Sequence, residues 1–387
     1  MSMNLIEKDK KYLLGVYNKY PLVFVRGEGS YVWDQEGKKY LDFYGAHAVC
    51  ILGHCFKPVV EAIKSQTDKL IFYSNMVHTQ PAIELAEKLA LTMLPDPYKV
   101  YFANSGSEAN ETAIKLARKH TGKNTVISFE GAFHGRSMTN LAVTGINSYH
   151  RYNPNFDQYT KFAKLGDMAS VKAACGEDSA CVILEGIQSI GGINMAERDF
   201  YSQLQSFCKE QGILLIVDEV QTGLGRTGEF WFSKKLGLNP DMITSAKGIA
   251  SGLPLSLVLV SEELSEQVEL SDHSTTFGGG PVPSAAANVV IETILSAGFL
   301  ESVKKKSNKI FEGLSKVTGV KNVLGEGLII GIELEDGNED LVNKCLNAGL
   351  IVGSSSKKNV IRITPPLNIS FGEIEEFLTI FNAAIKQ

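Results

Sequence analysis

The sequence is poor in the features that mark several large classes of protein. Only six of its 387 residues are cysteine. Cys50, Cys55, Cys175, Cys181, Cys208 and Cys345 show no paired metal-ligand spacing, so neither a zinc module nor a disulfide scaffold is expected, and they read as reduced intracellular thiols. The apolar run at 253–260 is far shorter than the roughly 20 residues needed to span a bilayer. The opening MSMNLIEKDKKY is polar and carries no apolar signal stretch. Positive charge is not in excess: Lys and Arg total 38 against 43 Asp and Glu, for a net charge of −5. With a pI near 5.9 and dispersed basic residues, no nucleic-acid partner is expected. Repeats and low-complexity linkers are also lacking. These absences point to a cytoplasmic protein with no membrane partner and no metal.

What remains is a chain with 44% hydrophobic residues, enough to bury a large core in more than one domain. Short apolar runs at 100–103, 125–129, 181–185, 213–218, 242–245 and 255–260 alternate with helical patterns. Continuous apolar strands with helices between them imply an α/β fold with a mostly parallel central sheet and helices on both faces. The first 45 residues carry short extended segments at 22–26 and 31–34. After residue 282 the pattern predicts a long helix over 284–317 broken near Gly298, a strand at 327–334, a helix at 338–347, a strand at 359–364 and a terminal helix. That helix opens with the capping box Ser370-Phe-Gly-Glu373. The division expected is 1–45 as an amino-terminal arm, 46–282 as the large domain and 283–387 as a smaller one, with the two termini building a small α+β unit.

Five segments carry chemistry. Residues 104–111, NSGSEANE, follow a strand and open a helix, where small residues expose N–H groups that suit a phosphate; an ordinary cap by Ser105 or Ser107 is the plainer reading. Phe133-His134-Gly135-Arg136 offers a ring to stack, a histidine and a carboxylate-binding guanidinium, although a histidine in a turn is more often structural. Residues 218–228 contain a literal G-x-G-x-x-G at Gly223, Gly225 and Gly228. The glycines do not follow the strand directly, which argues against a dinucleotide site. Asp218, at the end of a buried strand, is costly unless paired. Lys247 ends the next apolar run, where burial would depress its pKa and favour imine chemistry. A lysine and an acid so placed suit pyridoxal phosphate (PLP), whose ring needs a covalent lysine and a carboxylate at its nitrogen. Arg362, inside an apolar strand, needs an anion.

Together, NSGSEANE, FHGR, DEVQTGLGRTG, the Lys247 segment and TTFGGG resemble the class III (subgroup II) aminotransferases of fold type I, over almost the whole chain. The acetylornithine and succinylornithine aminotransferases are the nearest in kind. The resemblance implies PLP as cofactor and Lys247 as the Schiff-base lysine and proton shuttle. It implies Asp218 at the pyridinium nitrogen, Val220 and Phe133 on the two ring faces, and Gln221 at the ring hydroxyl. Gly106 and Ser107 would hold the phosphate with Thr276 of a neighbouring subunit, which makes a homodimer the minimum assembly. Arg136 would clamp a substrate carboxylate, and Tyr17 and His47 would line the substrate pocket.

One departure stands out. Where the family usually has E-P-x-Q-G-E-G-G, this chain reads Glu185-Gly-Ile-Gln-Ser-Ile190-Gly-Gly. The glutamate that normally masks the arginine equivalent to Arg362 is Ile190 here. The resemblance therefore implies transfer from an N-acylated ornithine, acetyl or succinyl, to the 2-oxo acid 2-oxoglutarate, within arginine biosynthesis, with another ω- or α-amino donor as the alternative. A non-enzymatic binding protein is the remaining reading, disfavoured by the presence of both Lys247 and Asp218.

Overall fold

The computed structural model describes residues 4–150, 158–335 and 340–386. Its centre is a seven-stranded sheet. In spatial order the strands are Tyr98–Ala103, Ser256–Ser261, Met242–Ser245, Leu214–Asp218, Ser179–Glu185, Thr125–Phe129 and Thr160–Ala163. Ser256–Ser261 runs antiparallel to both neighbours. The remaining pairs are parallel.

Alternation along each strand explains the layers. Cys181, Ile183 and Ile216 pack with Ala109, Ala113 and Leu116 of the helix Gly106–Thr121. Their neighbours Val182, Leu184, Leu215 and Val217 pack with Phe200, Leu204 and Cys208 of the helix Arg198–Gln211. Successive side chains point to opposite faces, so a strand covered on both sides must be apolar throughout. All six apolar runs became strands of this sheet. The edge strand Thr160–Ala163 escaped the sequence reading because two of its residues are exposed and its polar pattern carries no continuous run.

The chain ends meet outside this sheet. Leu350–Ile351 pairs in parallel with Lys39–Asp42, which continues through Tyr31–Asp34 to Phe24–Glu28. A further four-stranded sheet contains Val320–Glu326, Ile329–Leu334, Val360–Ile363 and Gly353–Ser354. The expected helix over 284–317 is two helices, Pro281–Leu295 and Phe299–Leu314, separated at Gly298, whose φ of 80° is accessible to glycine at little cost. The strand expected from 327 starts at Ile329, because 326–329 form the hairpin turn with the unforeseen strand Val320–Glu326. Of the helix expected over 338–347, Leu341–Asn347 is present, and Asn338 lies outside the described residues. The capping box at Ser370 and Glu373 forms as the sequence indicates.

Among the described residues no single helix is long and apolar enough to cross a membrane. The bent pair Pro281–Leu295 and Phe299–Leu314 reaches that length only jointly, across a 71° break. Its Val290, Ile291, Ile294, Val303 and Ile310 are buried in the main core.

Candidate active site

The parallel strands all end at one edge of the sheet, and the segments that follow those ends build a single cavity of about 1070 Å³. Open α/β sheets present ligand sites at this edge because the loops there converge and the backbone groups are free. Gly106, Ser107, Phe133, Arg136, Asp218, Val220, Gln221, Lys247 and Arg362 all line it, as do Tyr17 and His47. Thr276 does not: it is exposed and lies outside the cavity of its own chain.

Sheet register sets the polar floor. Glu185 is paired beside Asp218, and Asp218 beside Thr244, on three adjacent strands. Asp218 is 4% exposed and is held by three donors. His134 Nδ1–H lies 2.8 Å from Oδ2, Asn110 Nδ2 also 2.8 Å from Oδ2, and the Val220 N–H 3.0 Å from Oδ1. Burial pushes the Asp218 carboxyl upward, but the His134 bond and charge, with the other donors, hold it below the usual carboxylate range. A buried carboxylate without such partners would cost several kcal/mol. Asn110 is itself fixed, donating to the His134 carbonyl at 2.9 Å and accepting from Thr244 Oγ1 at 2.6 Å. Sequence reading missed Asn110, although it sits one helical turn after Gly106 and thus on the same face. His134, left there as structural, proves to orient the key acid.

Glu185 accepts the Phe133 N–H at 2.9 Å. Burial raises its carboxyl to about 7, against the opposing charge of His134. Lys247 has φ of 44°, a left-handed conformation that costs an ordinary residue about 1–2 kcal/mol. Burial lowers its ammonium to about 8, Asp218 pulling upward and Arg362 downward. A neutral amine is therefore accessible near physiological pH.

The helix Gly106–Thr121 begins where Ser105 Oγ accepts the Glu108 N–H at 3.2 Å. Ser105 makes the plain helix cap, while Gly106 and Ser107 face the cavity. Their N–H groups lie in the first turn, where a helix offers no internal acceptor. Space around them is tight. A Cβ on Gly106 would stand 3.1 Å from Val220, and one on Gly135 only 2.1 Å from Ser107 Oγ. Phe133 meets Tyr149 edge-on at 5.6 Å, and the Arg136 guanidinium lies 4.2 Å from the Tyr149 ring centre.

At the other side Arg362 is 3% exposed, carried by Val360–Ile363. It donates from Nη1 to Ser189 Oγ at 3.0 Å and Gln221 Oε1 at 3.4 Å, and from Nη2 to the Tyr44 hydroxyl at 2.8 Å. Ile190 lines the cavity nearby, and among the described residues no carboxylate pairs with Arg362. Its partners are uncharged oxygens. Tyr44 and Ser189 were not singled out in the sequence.

These residues fit PLP on chemistry as well as place. Asp218 Oδ1 accepts one N–H and lines the cavity, the first turn of a helix there suits a phosphate, and an amine with a depressed pKa stands at the same cavity. The fold and the site define a PLP-dependent transferase built on a mostly parallel sheet. The "Aminotransferase class-III" family model matches residues 15–385, and the chain belongs to that family. It is 40% identical over 379 residues to the acetylornithine aminotransferase of Archaeoglobus fulgidus, covering 98% of this chain and 99% of that one. The N-acetylornithine aminotransferase of Stenotrophomonas maltophilia superposes with a TM-score of 0.85 at 29% identity, covering 99% of this chain and 98% of the other. An amine transaminase from an uncultivated Pseudomonas species, solved in its PLP-bound form, gives a TM-score of 0.88 at 26% identity, with 97% and 96% covered. The chain is a PLP-dependent transaminase.

Proposed function

We propose that this transaminase takes its amino group from an N-acylated ornithine, acetyl or succinyl, and passes it to 2-oxoglutarate, within arginine biosynthesis. The observation that carries the reading is that one cavity holds Lys247 together with two guanidinium groups, Arg136 and Arg362, neither in an ion pair among the described residues. Donor and acceptor both carry carboxylates, and the acceptor carries two. The acetylornithine aminotransferases to which the chain is similar along its length support the same substrate class.

Gly106 and Ser107 would hold the phosphate of PLP, Asp218 its ring nitrogen, and Val220 and Phe133 its faces. Gln221 would reach the ring hydroxyl, Lys247 would bind covalently through Nζ, and Thr276 would come from a neighbouring subunit. When bound, PLP supplies an electron sink that stabilises negative charge at the carbon losing its proton. The protein does the rest. Lys247 Nζ would take the proton from the substrate carbon that gives up the amino group and deliver it to the carbon that receives that group, which requires the neutral amine that burial favours. Asp218 stays anionic because Asn110, His134 and the Val220 N–H bind its charged form. Arg136 orients the carboxylate of the acylated donor. In the return half-reaction Arg136 and Arg362 hold the two ends of 2-oxoglutarate.

The same reading places the enzyme in the cytoplasm as a homodimer with shared sites. It keeps 1–45, 46–282 and 283–387 as the arm, the cofactor-binding domain and the smaller domain. A second donor class has one observation in its favour: with no carboxylate on Arg362, an α-amino acid has an anchor for its α-carboxylate. A single-turnover panel of acetylornithine, succinylornithine, ornithine, 4-aminobutyrate and glutamate tests the assignment through the cofactor's absorption. Fast bleaching by an acylornithine supports it, and bleaching by glutamate alone removes it.

A further inference from the structure

Arg362 cannot shed its charge, yet among the described residues its partners are all neutral. Its two edges are differently occupied. Among the described residues Nη1 is fixed by Ser189 and Gln221, whereas Nη2 is held only by Tyr44 and the buried Nε–H has no partner. The Nε–Nη2 edge is a fork that meets a carboxylate through two parallel N–H···O bonds. In this chain it is closed by a single phenol.

That phenol is built into place. Asp42 accepts the N–H groups of Tyr44 at 3.0 Å, Gly45 at 2.9 Å and Ala46 at 3.1 Å. These bonds fix a turn in which Gly45, Ala46, His47 and Ala48 all have positive φ, from 49° to 68°. Thr364 Oγ1 donates to the Tyr44 carbonyl at 2.7 Å. The ring sits against Gly353, where a Cβ would be only 2.2 Å from Tyr44 Cε2. The turn also brings His47 Nδ1 into close hydrogen-bond contact with the Tyr44 hydroxyl.

The protons then have one consistent arrangement. The Tyr44 oxygen accepts from Arg362 Nη2, so its own proton is donated to His47 Nδ1, and His47 is neutral with its proton on Nε2. Burial, then the charges of Arg362 and Lys247, push His47 down to about 3. Burial raises the Tyr44 phenol despite Arg362, so it stays protonated. The chain Arg362 to Tyr44 to His47 carries no negative charge.

We propose that Tyr44 is a specificity-determining residue, an uncharged gate over the Nε–Nη2 edge of Arg362 that a substrate carboxylate displaces. A charge-assisted bond is roughly twice as strong as a neutral one, so a carboxylate outcompetes the phenol without any ion pair having to break. The site therefore admits dicarboxylates readily. This rests on the reading of the cavity as one that takes carboxylate-bearing substrates.

The test is calorimetric titration of cofactor-loaded enzyme with glutarate, a dicarboxylate with no amine or keto group to react. Tyr44→Phe keeps the ring and removes the competing oxygen. It should bind glutarate about two- to tenfold more tightly than the parent, the range one net hydrogen bond gives. The KM for 2-oxoglutarate should fall with it, which a merely structural role for Tyr44 would not produce. Equal or weaker glutarate binding by Tyr44→Phe overturns the gate. Arg362→Ala should lose at least tenfold in glutarate affinity, and retention of parental affinity also overturns it. Failure of the acylornithine assignment shows separately, as an inert donor panel in a protein that still binds glutarate.

Discussion

At the scale of single residues, the site depends on charges made tolerable by particular neighbours. Lys247→Ala should abolish the cofactor's covalent absorption band and lower turnover by about 10²–10⁴-fold or more, read by spectrum and initial rate. Because burial holds the Lys247 ammonium at about 8, the neutral amine grows as pH rises. Loading of the cofactor-free protein with PLP should therefore accelerate with pH and level off above about 8, and a rate falling with pH in that window would contradict the assignment. Asn110→Ala removes a donor to Asp218 and leaves Thr244 and the His134 carbonyl short of partners. It should cost about 1–3 kcal/mol of stability and weaken cofactor retention, measured by denaturant titration and by dialysis. Lys247, Asp218 and Arg362 were legible in the sequence because a charge inside an apolar run demands an explanation. Asn110, Tyr44 and Ser189 were not, since short polar residues are common and only the folded chain shows what they touch.

At the scale of elements, the left-handed turn Gly45–Ala48 is the most strained piece of the site, and Asp42 is its staple. Asp42 also accepts from His54 Nε2 at 2.8 Å. Asp42→Ala would leave that imidazole and three N–H groups without their acceptor, a loss of about 3–5 kcal/mol by analogy with other broken buried pairs. Thermal unfolding gives the number, and a loss below about 1 kcal/mol would mean the turn holds itself. Burial lowers the His54 imidazole, but the bonds to Asp42 and Cys50 outweigh it and raise it to about 10. A raised pKa adds stability that is full below the unfolded value of about 6.5, declines above it and is gone past about 10. The Asp42→Ala deficit should shrink across that window as pH rises. Strands covered on both faces were read correctly from apolar runs. The edge strand Thr160–Ala163 and the turn at 45–48 carry no such pattern, because solvent exposure in one case and side-chain hydrogen bonds in the other decide their form.

At the scale of the whole molecule, a single chain supplies every proposed cofactor contact except Thr276, which is exposed and away from its own cavity. Near it Phe277 and Phe72 pack together at 5.3 Å while remaining exposed, with Ile71, Tyr73 and Met76 beside them in sequence. Exposed apolar surface of this kind is what the proposed dimer would cover, and a second copy placing Thr276 at its partner's site would account for both. Mixing Lys247→Ala with Thr276→Ala subunits should then regenerate one intact site per hybrid dimer and restore PLP retention. No restoration would show that Thr276 acts within its own chain or not at all. The parallel sheet followed from apolar runs alternating with helical patterns along the chain, and the joining of the two termini only from the family resemblance, whereas assembly depends on surfaces that no periodicity encodes. The most direct test of the whole reading is stopped-flow absorbance of the PLP-loaded enzyme mixed with N-acetylornithine, with succinylornithine and with glutamate. Rapid loss of the cofactor band with an acylornithine, restored by 2-oxoglutarate and absent in Lys247→Ala, is the expected result; a band that acylornithines leave untouched while glutamate bleaches it would contradict the assignment.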